Sequence, residues 1–265
     1  MVKEINEMEM INKSGQVTIF VIIGLVIVFA AAIAVLIYES PFSGPGTDEN
    51  PKDFIRTCIE QDVEDILSTI SLQGGYVNTA DAVGFIDYDK EKVSYLCHTP
   101  DNDELCITQE PLLKKHTEDA IKNYISPKLE ECFADLENEY KKYSYEAGPT
   151  NFEVVLNPGR IDFEIEKDIT IIKKETTGDY NSFGFFVKHP MWDFVVLSQN
   201  IILEEGTCNC GNEHCGADLI LLSKANRDYE FDKFTTGNNE NVYTFQELNS
   251  ENKFMFAVRN CVRLP

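Results

Sequence analysis

The stretch that most constrains this chain is Val17 to Tyr38, which carries no charged residue and no hydroxyl besides Thr18 before the terminal Tyr38. At about 1.5 Å per helical residue it spans roughly 33 Å, the thickness of a bilayer's hydrocarbon core. A helix of this length on a soluble domain keeps a polar face towards water, and none can be drawn here. The sequence therefore predicts a transmembrane helix over 17–38, with the lipid bilayer as its partner. Lys3 and Lys13 precede it, whereas Glu39 to Asn50 contains acids and no Lys or Arg. The positive-inside tendency then leaves the short N-terminal tail in the cytoplasm and exports residues 39–265.

The run is longer than the hydrophobic region of a cleaved secretory signal, and no small-x-small site follows Tyr38. The preceding turn, Lys13-Ser14-Gly15-Gln16-Val17-Thr18-Ile19-Phe20, resembles the class III signal peptide of archaeal type IV pilin-like membrane-anchored proteins. That resemblance implies processing between Gly15 and Gln16, with the apolar helix retained on the mature chain. It also implies other envelope or pilin-like proteins as partners. Filament-forming members carry a glutamate five residues into the mature helix, and here Phe20 stands in that place. Two further phrases, Leu72-Gln73-Gly74-Gly75-Tyr76 and Phe256-Ala257-Val258-Arg259, resemble those of uncharacterised archaeal anchored proteins and imply no activity.

Export gives the cysteines their meaning. All eight lie beyond the anchor, and an even number outside the cytoplasm reads first as disulfides. Eight thiols admit on the order of a hundred pairings, so connectivity has to be argued locally. Ser40 to Pro51, with Pro41, Pro45, Gly44 and Gly46, reads as a flexible stalk. A helix follows over about Lys52–Leu72, its apolar stripe formed by Ile55, Cys58, Ile59, Val63, Ile66 and Ile70. A second spans about Pro111–Tyr143, interrupted at Ser126-Pro127 either as a cap and first helical position or as a kink, and carries Cys132 on its stripe. Two inward-facing cysteines on two amphipathic helices predict a Cys58–Cys132 bond. Cys97 and Cys106 flank a loop of turn-forming residues, which a second disulfide would close.

After Gly148 the period changes. Phe152–Leu156, a turn at Asn157-Pro158-Gly159-Arg160, and the alternation of Ile161, Phe163 and Ile165 with acids predict a hairpin with one wet face. Strands are also predicted at Val83–Tyr88, Val93–Cys97, Ile169–Lys173, Phe183–Lys188, Tyr229–Phe234, Val242–Phe245 and Lys253–Asn260, and a third helix over about Met191–Glu205. The fold class is α+β: an N-terminal transmembrane helix, then a disulfide-stapled domain of about three helices packed on antiparallel sheet. Its segments are a leader or tail at 1–16, the anchor at 17–38, a stalk at 39–51, a helix-rich half at 52–147 and a strand-rich half at 148–265.

The densest local motif is Cys208-Asn209-Cys210-Gly211-Asn212-Glu213-His214-Cys215. Disulfides that include Cys261 are the reading an exported domain favours. The alternative is a tetrahedral zinc held by Cys208, Cys210, His214, Cys215 and Cys261, although the spacing matches no standard ribbon or knuckle. The acids Asp87, Asp89 and Glu91, and Asp101, Asp103 and Glu104, lack the glycine and distal glutamate of a helix-loop-helix calcium site and read as solvated loops. Of four histidines, His98, His116, His189 and His214, none sits in a zinc-protease pair or beside a strained nucleophilic serine, and His189, before Pro190 at a helix start, reads as a capping or packing residue rather than a proton-transfer group. No cofactor is expected. With 45 acidic against 23 basic residues, net −22, the surface repels phosphate backbones, so nucleic acid is excluded as a partner.

These features favour a non-enzymatic, membrane-anchored, surface-exposed structural or adhesive interaction protein. An anchored envelope hydrolase is the first alternative. It would be marked by a deep pocket lined by two or more acids, or by a histidine with a nucleophile. A subunit of a pilus-like filament is the second.

Overall fold

The computed structural model describes residues 50–101, 104–174, 176–207, 228–236 and 240–261. All belong to one compact unit that begins at Glu49. The predicted anchor, the Gly15-Gln16 junction and the Cys208–Cys215 motif lie outside the described residues. Among the described residues no helix is long and apolar enough to cross a membrane.

Helix α1, Pro51–Leu72, starts where the sequence supplies a cap and a preset backbone angle together. Asn50 accepts the Lys52 N–H at 3.1 Å, and Pro51 occupies the first turn, where its missing N–H costs nothing. The helix buries Ile55, Ile59, Val63, Ile66 and Ile70. It stops at Gly74 and Gly75, whose φ values of 69° and 90° let the Gly75 N–H reach back to the Ile70 carbonyl at 2.7 Å.

Helix α2, Leu113–Glu139, runs without a break through Ser126-Pro127. The reading of Ser126-Pro127 as a cap and fresh helix start is therefore corrected. Pro127 cannot donate to the preceding turn, but the Ser126 hydroxyl donates to the Lys122 carbonyl at 2.7 Å, and Ile125, Leu129 and Phe133 stay buried on both sides of the proline. Packing outweighs the lost bond. The third helix, α3, is Met191–Thr207.

The strands form two sheets. The first has the order β1 (Phe85–Tyr88), β2 (Glu91–His98), β11 (Lys253–Arg259), β10 (Glu240–Glu247), β9 (Tyr229–Thr235), with the short β3 (Ile107–Thr108) also on β2. Its central pair, β2 and β11, is parallel, so the expected all-antiparallel sheet is corrected to a mixed one. Parallel partners need a long crossover, which here is most of the domain. The helix-rich and strand-rich halves are accordingly interleaved, since β2 comes from one and β11 from the other.

The second sheet is antiparallel and centred on β6, Arg160–Lys173. β5 (Asn151–Asn157) and β8 (Phe185–Lys188) pair with its first half, and β4 (Ser144–Ala147) and β7 (Thr176–Ser182) with its second. Each flank is thus a strand broken once, at 148–150 and at 183–184. Burial along β5 and along β6 to Ile165 alternates, giving the one wet face that the sequence predicts. β4 and β7 were not expected. Their residues are mostly exposed, so they carry no apolar alternation to read.

One continuous core joins both sheets to all three helices, with Tyr243, Phe163, Phe183, Phe194, Phe245, Phe254 and Phe256 as its largest aromatic fillers. A smaller cluster of Val93, Tyr95, Val242, Met255 and Ala257 covers the other face of the first sheet. That sheet's central strands are therefore buried on both faces.

Candidate functional site

The cysteines come first. Cys58 on α1 is bonded to Cys132 on α2, with Cα atoms 6.0 Å apart, and Cys97 on β2 to Cys106, at 5.3 Å. Cys261 is also disulfide-bonded, and its partner lies outside the described residues. Cys208, Cys210, His214 and Cys215, which complete both the disulfide and the zinc reading, lie outside them too. Among the described residues no group of three or more His, Cys, Asp or Glu side chains is placed to hold a metal.

Around Cys97–Cys106 the structure builds a polar knot that the sequence does not announce. Asn260 donates to the Glu205 carbonyl at 2.6 Å, and its own side-chain oxygen accepts the N–H groups of Cys106 and Cys261, both at 2.9 Å. One amide side chain thus ties the end of α3 to two cysteine backbones. The Glu205 carboxylate, 3% exposed, accepts from the Tyr243 hydroxyl and pairs with Lys233 at 3.2 Å. A buried carboxylate left without such partners would cost free energy. These groups are spoken for, so the knot is a clasp.

The remaining candidates are histidines and cavities. The His98 ring lies 5.1 Å from Tyr95, and burial, then the Arg259 charge, holds its imidazole below the usual value. His116 packs on Tyr76 at 4.6 Å with Glu110 3.6 Å from its Nδ1. Tyr76 donates to the same Glu110 at 2.8 Å. His189 is different. It lines a cavity of about 460 Å³ between α1, the end of β8 and the β10–β11 turn, beside Glu64, Ser71 and Glu251. Burial pushes its imidazole down to about 4, with Glu247 opposing weakly. Its Nδ1 and the Ser71 hydroxyl are both buried without a hydrogen-bond partner among the described residues, so the two do not bond to one another.

No family model, curated protein or solved structure matches the chain.

A second cavity, of about 560 Å³, adjoins the first and shares Glu64, Val187 and Lys188 with it. Arg56, Glu60 and Val63 of α1 form one wall, and β8 with the preceding Gly184 the other. The Arg56 guanidinium sits 6.0 Å from the centre of the Phe185 ring. Together the two cavities make a groove along β8. Gly184 is required there, because a Cβ would stand 2.9 Å from the Phe163 carbonyl oxygen. Of its lining, the sequence singles out only His189, as a cap or packing residue at a helix start. No local spacing in β8 signals that its edge is left open.

Proposed function

We propose that this chain is a non-enzymatic, membrane-anchored protein whose exported α+β domain serves structural or adhesive contacts at the cell surface. The observation that carries the reading is the oxidised state of the domain. Cys58–Cys132 and Cys97–Cys106 are closed and Cys261 is bonded, as suits a compartment where disulfides persist. The uncharged run Val17–Tyr38 supplies location, Ser40–Pro51 reach, and the cross-links durability. Processing at Gly15-Gln16 and contact with other envelope or pilin-like proteins belong to the same proposal. Labelling intact cells with a membrane-impermeant amine reagent tests it: lysines beyond residue 51 react and Lys3 does not. The reverse pattern, or no labelling before lysis, removes the reading.

The hydrolase reading draws support from one observation, the cavity that brings His189 and Ser71 together with Glu64 and Glu251. Against it, the serine and imidazole are not hydrogen-bonded, which nucleophile activation requires. A fluorophosphonate probe separates the readings. The interaction module stays unlabelled, whereas a serine hydrolase is labelled in a manner that Ser71→Ala abolishes.

A further inference from the structure

The second sheet leaves one edge open beside the groove. Among the described residues β8 pairs only with β6, in a register that sets Phe163 against Phe185 and Arg160 against Lys188. Phe183 donates its N–H to the Ile165 carbonyl at 2.8 Å and His189 donates to the Gly159 carbonyl at 3.3 Å. The odd-numbered residues thus face β6. By the alternation of an antiparallel ladder, the N–H and C=O groups of Gly184, Phe186 and Lys188 point the other way, with no strand to receive them. All three are exposed, Phe186 by 51%. The groove lies along the same residues, walled on its far side by α1.

We propose that this groove binds an extended peptide segment, added as a further strand to β8 and alternating apolar with basic residues. Main-chain bonds to Gly184, Phe186 and Lys188 supply affinity, and alternate side chains entering the cavity supply selectivity. The apolar ones, on the opposite face of the added strand, meet the exposed Phe186 ring. The basic ones meet Glu60 and Glu64, one turn apart on α1, and Glu251, none of which has an ion pair among the described residues. Arg56 and Lys188 offset part of that charge, yet the chain's net −22 draws a cationic segment in from a distance. The cavity has the volume for a few residues of one strand, whereas a second copy would bring a β8 walled by its own α1.

The inference rests on reading the domain as an interaction module. Its test titrates the full-length chain into a fluorescein-labelled lysine-valine hexapeptide, blocked at both ends, and follows anisotropy. Saturable binding is expected, weakened at least ten-fold by Phe186→Pro relative to Phe186→Ala, since both lose the exposed ring and the proline alone also loses the outward N–H. Methylating alternate peptide amides should weaken it equally, and a glutamate-valine peptide should bind less well. Should Phe186→Pro lose its native circular dichroism, the methylated peptide decides. No saturable binding, equal binding to the Phe186→Pro and Phe186→Ala variants, or equal binding of the methylated peptide overturns the proposal. So does self-association that Phe186→Pro abolishes without any peptide binding, which assigns the edge to a second copy. Failure here in a chain that is exported and oxidised removes the groove alone; a reduced cytoplasmic chain removes the interaction-module reading itself.

Discussion

His189 has the most informative titration among the described side chains. Burial holds its imidazole down to about 4 in the folded chain, while the unfolded imidazole titrates near its ordinary value of 6.5. The unfolded state therefore binds the proton more tightly below pH 6.5. The neutral ring's contribution is complete above that pH and is lost as pH falls towards 4, by about 2 to 3 kcal/mol. Thermal melts from pH 7 to pH 4 should show His189→Gln with a flatter fall than the parent chain. Asn260 offers a test by deletion. It bonds one carbonyl and two N–H groups inside the protein, so Asn260→Ala should cost about 2 to 4 kcal/mol in urea unfolding, since several buried groups are orphaned together. Gly75 has φ 90° and a Cβ would lie 3.3 Å from Leu113, so Gly75→Ala should destabilise by about 1 to 3 kcal/mol. Of these three, the sequence announces the glycine, and His189 only as a cap or packing residue. Gly74-Gly75 ends an amphipathic run in plain view, whereas Asn260 gains its role from backbones far away in the chain.

At the scale of elements, the periodic segments were legible and the recruited ones were not. The apolar stripes of α1 and α2 place Cys58 and Cys132 on inward faces, and the structure bonds them 74 positions apart. Closing so long a loop restricts the unfolded chain, so replacing both cysteines with serine should lower stability by about 2 to 4 kcal/mol, read from the denaturant midpoint. β5 and the first half of β6 are equally plain, because one face is wet and the side chains alternate. β4 and β7 exist because β6 is long enough to pair beyond β5 and β8, a property of the partner rather than of their own residues. Pro127 misled in the opposite direction. A local rule ends the helix there, and burial of Ile125, Leu129 and Phe133 overrides it. The groove was the least visible feature, since an open edge is defined by the strand that does not pair with it. The parallel β2–β11 pair was hidden likewise, as its two strands lie far apart in the sequence.

For the molecule as a whole, charge and oxidation govern behaviour. A net −22 over the 265 residues makes the folded state repel itself, a term that salt screens within about 10 Å at 0.1 M. Raising sodium chloride from 0.05 to about 1 M should therefore raise the melting temperature of the full-length chain by several degrees. An unchanged or lower melting temperature would mean that the acids are balanced locally. The disulfides bear on the central claim, because a domain folded outside the cytoplasm holds its thiols as bonds. Intact-mass analysis of protein extracted from native membranes under alkylating conditions, with and without prior reduction, reads this directly. The account predicts no alkylation of any cysteine until reductant is added. Alkylated Cys58, Cys97, Cys106 or Cys132 in the unreduced sample would contradict it.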